Sequence, residues 1–285
     1  MKILVTGSNG QLGSEIRELA SLYPHFDFMY TDEAELDITD QEKVNEFFTF
    51  YNPDVVINCA AYTAVDKAET ESEKAFLINA EAPGILARAT ADTGAFMVHI
   101  STDYVFDGKN YKPYVETDKV CPVSVYAKSK VAGEEAVQQA NGKAVIIRTS
   151  WLYSAFGNNF VKTMRKYGAE RGELNVVADQ TGTPTYARDL AKAILDTLPL
   201  AMTAEGVEIF HYSNEGVTSW YDFAREIMQF SKINCKVNAI TTKDYPLPAA
   251  RPYYSVFDKS KIKKKFAIEI PHWKDSLKLC IGRLQ

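Results

Sequence analysis

The first thirteen residues constrain this chain most. Lys2-Ile3-Leu4-Val5-Thr6 is a short apolar run, and glycines follow at positions 7, 10 and 13. An apolar strand that runs into such a turn, with helix-forming residues behind it, predicts the opening βα unit of a doubly wound sheet. Gly7 ends the strand in a tight turn. Gly10 lets the backbone approach a pyrophosphate, and Gly13 lets the helix pack close to the strand. Amides at the helix start then face the phosphates of a dinucleotide. The spacing is G-x-x-G-x-x-G rather than G-x-G-x-x-G.

Strand and helix patterns alternate beyond this point. Strands are expected at 26–30, 55–57, 96–100 and 144–148, and helices at 14–22, 41–51 and 125–140. Residues 64–94 read as two helices broken near Ala82-Pro83-Gly84. Continuously apolar strands of this kind are buried on both faces of a parallel sheet. After Thr149 the pattern is less regular, with helices expected at 158–168, 186–198 and 219–230 and strands at 174–177 and 207–212. A basic, Pro-containing tail covers 243–265. The expected architecture is α/β. Residues 1–150 form a Rossmann-like doubly wound parallel sheet that binds the dinucleotide. Residues 151–285 form a smaller C-terminal α/β region, mainly for substrate, with some segments returning to the first sheet.

The net charge of −5 gives no general attraction to nucleic acid or to an anionic membrane. There is no apolar run of ~18 residues, and the N-terminus reads as a buried strand and not a signal peptide, so a cytoplasmic protein is expected. Cys59, Cys121, Cys235 and Cys280 are scattered without metal-like spacing and are expected to behave as small apolar residues.

The chemistry concentrates in two places. Tyr126 and Lys130 stand at i and i+4 on a predicted helix, hence on one face. A cation there favours the phenolate and eases proton donation by the phenol. Lys128 points off that face. Ser101-Thr102-Asp103 follows the fourth strand, at the strand end where doubly wound sheets place ligand groups. Thr102 can bond a substrate carbonyl, and Asp103 can hold a sugar hydroxyl. Ser101 is a weaker candidate, and His99 reads as a packed histidine. Asp32 and Asp37, after the second strand, are candidates to accept from the ribose hydroxyls of NAD. With no Arg directly beyond the glycine turn or the second strand, this leans toward NADH without excluding NADPH.

The glycine turn with the Tyr126/Lys130 pair resembles the extended short-chain dehydrogenase/reductase superfamily. Further runs narrow the resemblance to its dTDP-4-dehydrorhamnose reductase family: 56–69, Ser101 to Gly108, Arg148-Thr149-Ser150-Trp151-Leu152-Tyr153, Gly157 to Val161, Asp179 to Thr185, and Arg251-Pro252. The resemblance covers essentially the whole chain. It implies reduction of a nucleotide-linked 4-keto-6-deoxysugar with NADPH or NADH. Gln11 and Leu12 would lie with Gly10 along the pyrophosphate, Asp37 and Ile38 near the adenine, and Ala60, Ala61 and Tyr62 along the cofactor. Tyr126 would donate the proton, and Lys130 would bond the nicotinamide ribose. Thr102 and Asp103 would meet the sugar, with Trp151 walling its pocket. Asn159 and Arg251 would serve the nucleotide-sugar end. Where the family often shows Arg-Pro-x-Asn-Ser, this chain has Tyr254 at the Asn position.

Two alternatives remain at the level of sequence: a sister nucleotide-sugar reductase or epimerase, and a non-catalytic regulatory subunit on the same scaffold. A monomer or homodimer is expected. Glu15 could join a Mg2+-bridged contact between chains, but it reads as a solvated surface residue and no metal site is expected.

Overall fold

Apolar strands and amphipathic helices alternate through the first half of the chain, seen in a computed structural model that describes residues 1–140 and 142–284. The order is β1 (Lys2–Thr6), α1 (Gln11–Leu19), β2 (Asp27–Thr31), α2 (Gln41–Tyr51), β3 (Val55–Asn58), α3 (Val65–Ala68), α4 (Ser72–Phe76), α5 (Ala82–Thr93), β4 (Phe96–Thr102), α6 (Val125–Gln139) and β5 (Lys143–Thr149). The second half comprises β6 (Leu152–Tyr153), α7 (Phe160–Arg171), β7 (Glu173–Val177), β8 (Thr181–Gly182), β9 (Thr185–Tyr186), α8 (Ala187–Ala201), β10 (Val207–His211), β11 (Thr218–Ser219), α9 (Trp220–Ser231), β12 (Lys236–Ile240), α10 (Ser260–Phe266) and α11 (Trp273–Gly282).

Six strands form the central sheet in the order β10-β5-β4-β3-β1-β2. Every pairing in it is parallel. Ile3 and Val5 face one apolar layer, which they share with Leu12 and Ile16 of α1 and Leu190 and Ile194 of α8. Leu4, Val56, Met97 and Ile146 face the opposite layer, against Val44 and Phe48 of α2 and Leu86 of α5. Burial on both faces explains the unbroken apolar strands. The chain order reverses between β1 and β3, so a crevice opens beyond the carboxyl ends of these strands. A third apolar cluster joins α7, α9 and α11 through Val161, Phe223, Ile227 and Leu277.

Two expectations need correction. Helix does not break at Pro83. It runs from α4 through a π-helical turn, Leu77–Glu81, into α5, and Pro83 sits in the first turn of α5. Proline lacks an N–H and clashes with the carbonyl four residues back, and a wider turn absorbs both problems. The C-terminal tail is more ordered than its charge suggests. Lys261, Lys263, Lys264 and Lys265 lie on α10, and α11 follows. Strand β12, where the sequence pattern assigns no element, pairs with β7 in a half-exposed two-stranded sheet and so carries little apolar alternation.

Candidate active site

Helix α6 sets the geometry of the site. The Ser124 hydroxyl accepts from the Ala127 amide at 3.1 Å and caps the helix, which puts Tyr126 in the first turn. Lys130 follows one turn later and Glu134 another turn on, all on one face, while Lys128 is exposed. That face packs against the carboxyl end of β4. The Lys130 ammonium, 2% exposed, donates to the Ile100 carbonyl at 2.7 Å. Glu134 accepts from the Ser101 hydroxyl at 2.5 Å and from Arg148 of β5 at 2.9 and 2.7 Å. Ser101 therefore anchors the helix.

Thr102 ends β4. Its hydroxyl donates to Asp103 Oδ1 at 3.1 Å and accepts from the Tyr104 amide at 3.2 Å. The Tyr104 ring meets Tyr126 edge to face at 5.5 Å. Burial pushes the Tyr126 phenol up to about 12, against the lowering influence of the Thr102 hydroxyl. Burial brings Lys130 down to about 8, and Glu134 works against that shift. Around neutral pH the site thus holds a protonated phenol and, one helical turn on, a protonated lysine; the phenol is raised by burial and not lowered by the cation, contrary to the expectation from spacing. Burial also raises Asp103 to about 6, with the Ser255 and Thr102 hydroxyls pulling it back. Asp103 Oδ2 and Ser255 Oγ are buried near each other but make no hydrogen bond of good geometry, which leaves both able to turn to a polyhydroxyl ligand.

Trp151 has a positive φ of 47° and stacks on Trp220 with ring centroids 3.6 Å apart. A side chain at Gly182 would collide with both Trp151 and Ser255. A tryptophan held in left-handed backbone beside the buried Asp103 and Ser255 is suited to form the wall of a sugar pocket. Trp220 and Ser255 escape sequence reasoning because only the tertiary fold brings them here, whereas Tyr104 simply follows Thr102 and Asp103 in the chain.

The cofactor side is a cradle of backbone. A Cβ on Gly7 would lie 2.6 Å from the Ala60 backbone, and one on Gly13 would lie 2.5 Å from Ser8 Cα. One on Gly10 would come within 3.2 Å of the Gly7 carbonyl. Helix α1 begins at Gln11 behind Gly10, with no side chain capping it. Uncapped amides beside glycines at the switch point of a parallel sheet fit a dinucleotide pyrophosphate. The Leu12 and Ile38 side chains lie in the core, so only their backbones can face a nucleotide. Asp37 turns back on the Thr39 amide and hydroxyl at 3.0 and 2.7 Å, which lowers its pKa.

Ala60, Ala61 and Tyr62 leave β3 along the same crevice. Asn79, in the π-helical turn, holds them by bonding the Tyr62 amide and carbonyl at 2.8 and 3.0 Å and Ser129 of α6 at 3.0 Å. Tyr62 and Tyr126 share one small apolar cluster. His99 is a packed histidine, fully buried against Asn58.

Several residues are placed otherwise than expected. Arg251 makes a two-pronged ion pair with Asp66 of α3 at 2.9 and 2.6 Å, so its guanidinium already holds an anion. Asn159 caps α7 and donates to Gln11 of the cofactor turn at 3.0 Å, so its polar groups serve the protein. Tyr254 joins Tyr114 and Phe257 in a local apolar cluster. Glu15 is fully buried, not solvated, and is held by Ser154, Arg188 and Arg283. All four cysteines are free. Cys280 is buried as expected of a small apolar residue, whereas Cys121 is exposed. Among the described residues no helix is long and apolar enough to cross a membrane, and no cluster of three or more metal-ligating side chains occurs.

Comparison with known proteins agrees with this geometry. The sequence matches the RmlD substrate binding domain family over residues 1–285. A dTDP-4-dehydrorhamnose reductase from Burkholderia thailandensis is 40% identical, with 100% of this chain and 99% of that protein covered. The crystal structure of a dTDP-4-dehydrorhamnose reductase from Clostridium acetobutylicum superimposes with a TM-score of 0.95 at 46% identity, covering 100% of both chains. That of the Bacillus anthracis dTDP-4-dehydrorhamnose reductase, in complex with NADP, gives 0.93 at 39% identity, covering 99% of this chain and 98% of that one.

Proposed function

Because the chain belongs to the RmlD substrate binding domain family, we propose that it reduces dTDP-4-dehydro-L-rhamnose to dTDP-L-rhamnose. The carrying observation is the arrangement of Tyr126, Lys130 and Thr102 at the end of β4, across the crevice from the glycine cradle. When bound, NADPH or NADH supplies a hydride to C4 of the sugar. Tyr126 gives its phenolic proton to the C4 oxygen, so the carbonyl becomes a hydroxyl. Thr102 orients that oxygen by hydrogen bonding. Lys130 sets the charge beside the phenol and reaches the nicotinamide ribose. Asp103 accepts from a sugar hydroxyl, and Trp151 walls the ring. Positioning supplies much of the rate.

Residues 1–150 are assigned mainly to the cofactor and 151–285 mainly to the substrate. A cytoplasmic location and a monomer or homodimer accord with this assignment, which places the chain in dTDP-rhamnose synthesis for cell-surface polysaccharide. The test is spectrophotometric. Nicotinamide oxidation is followed with dTDP-4-dehydro-L-rhamnose and, in parallel, with GDP- and UDP-linked 4-keto sugars. The dTDP substrate should give the highest kcat/KM. A preference for another nucleotide would overturn the substrate assignment, and no oxidation with any of them would overturn the enzyme assignment.

A further inference from the structure

The glycine turn is tied to the end of β2 by two backbone donors. Ser8 N–H reaches the Thr31 carbonyl at 3.1 Å, and Asn9 N–H reaches Asp32 Oδ2 at 3.0 Å. This junction is where a doubly wound sheet reads the adenosine ribose: a free carboxylate there favours NAD, and an arginine favours the 2′-phosphate of NADP. Each Asp32 oxygen already accepts one amide, the other being that of Glu33 at 3.0 Å, which leaves part of its accepting capacity for a ribose. Arg17, one turn beyond Gly13 on α1, folds back toward the same junction. Its guanidinium donates to the Ser8 hydroxyl at 2.9 Å and lies 4.7 Å from the centroid of the Tyr30 ring. Ser8 is buried, and Arg17 makes no ion pair among the described residues. A cation thus stands at the ribose corner, fixed by one hydrogen bond and one aromatic face, with no carboxylate neutralising it. No arginine stands directly beyond the glycine turn or β2; the one at this corner comes from within α1.

We propose that Arg17 is a specificity residue that receives the 2′-phosphate, so that this chain prefers NADPH to NADH. The planar, permanently charged fork of arginine suits a phosphate dianion. The Asp32 carboxylate, bonded to Asn9 at the same junction, disfavours a phosphate, so the preference depends on Arg17. Removing the guanidinium should therefore abolish the preference.

This inference rests on the dinucleotide site of the proposed function, and direct binding separates the two. The full-length chain is titrated with NADPH and with NADH, following nicotinamide fluorescence, and competed with 2′,5′-ADP and 5′-AMP. Wild type should bind NADPH about tenfold or more tightly than NADH and prefer 2′,5′-ADP to 5′-AMP, on the strength of one charge-assisted contact. Arg17→Gln should lose that margin while its NADH affinity stays within about twofold, and Arg17→Lys should retain part of it. The preference should also shrink with added salt. Equal binding of the two cofactors by wild type, or an unchanged NADPH/NADH ratio in Arg17→Gln, would overturn the role of Arg17 and leave the reductase assignment standing. Failure of wild type to bind either cofactor would overturn both.

Discussion

At the residue scale, the proposed chemistry depends on a neutral phenol and a buried cation. Tyr126→Phe removes the proton donor and leaves the ring in its apolar cluster. Turnover should fall by about 10²–10⁴-fold, the usual worth of general acid catalysis, with NADPH affinity little changed. Retention of substantial activity would refute the donor role. Lys130 gives a sharper signature because burial lowers it to about 8. Its folded value lies below the unfolded one, so the cost of burying the cation is present below about pH 8. That cost is relieved as pH rises toward the unfolded value. Stability contributed by this group should therefore rise above pH 8, while kcat/KM falls as the cation is lost. A kcat/KM profile flat to pH 10 would contradict this, and Lys130→Arg should carry the alkaline limb upward. These residues were legible in the sequence because helix spacing alone puts Tyr126 and Lys130 together. Arg17, Trp220 and Ser255 were not. Arg17 acts nine positions from its partner Ser8, around a turn and a helix, and Trp220 meets Trp151 only across the fold.

At the element scale, α6 must be held to a fraction of an ångström for Tyr126 to meet a carbonyl. Two devices hold it. The buried Glu134–Arg148 pair, with Ser101, fastens the helix to β4 and β5. Glu134→Ala strands the Arg148 guanidinium, whose Nη1 already lacks a partner, and should cost about 3–5 kcal/mol of stability. Urea midpoints at constant slope would measure the loss, and a change under about 1 kcal/mol would deny the pair its structural role. The second device is contact between helix and π turn. Gly133 rests directly on the Asn79 carbonyl, so any side chain there drives the helix off. Gly133→Ala should reduce kcat more than NADPH affinity, because the catalytic face moves while the glycine cradle stays. The strands and α6 were legible from their apolar runs and caps. The π turn was not: Pro83 signals a break, and only packing against α6 turns that break into a continuous bent helix.

At the scale of the molecule, the question is what couples the cofactor half to the C-terminal region. The Rossmann-like order of the sheet was legible, yet the couplings were not, because they join positions far apart in the chain. Glu15 sits on α1, directly behind the pyrophosphate turn, and is fully buried. It accepts from Ser154 at 2.6 Å, from Arg283 beyond α11 at 2.9 Å to each oxygen, and from Arg188 of α8 at 3.3 Å. Arg283 also reaches Tyr186 and, with Arg188, Glu18. One carboxylate thus binds three separate parts of the C-terminal half to the first helix. A single buried anion holding two cations cannot be removed cheaply, since both guanidinium groups would lose their buried counter-charge. Glu15→Ala should cost about 3–5 kcal/mol, which for a chain of this size lowers the melting temperature by roughly 5–15 °C. Arg283→Ala should cost less, because Arg188 still partners the anion. The double variant should fall short of the sum, the mark of a shared network. Additive effects in that cycle would mean that Glu15 and Arg283 stabilise their own elements separately. Strong coupling would mean that the last helix secures the first, and that truncation before Arg283 loosens the dinucleotide turn.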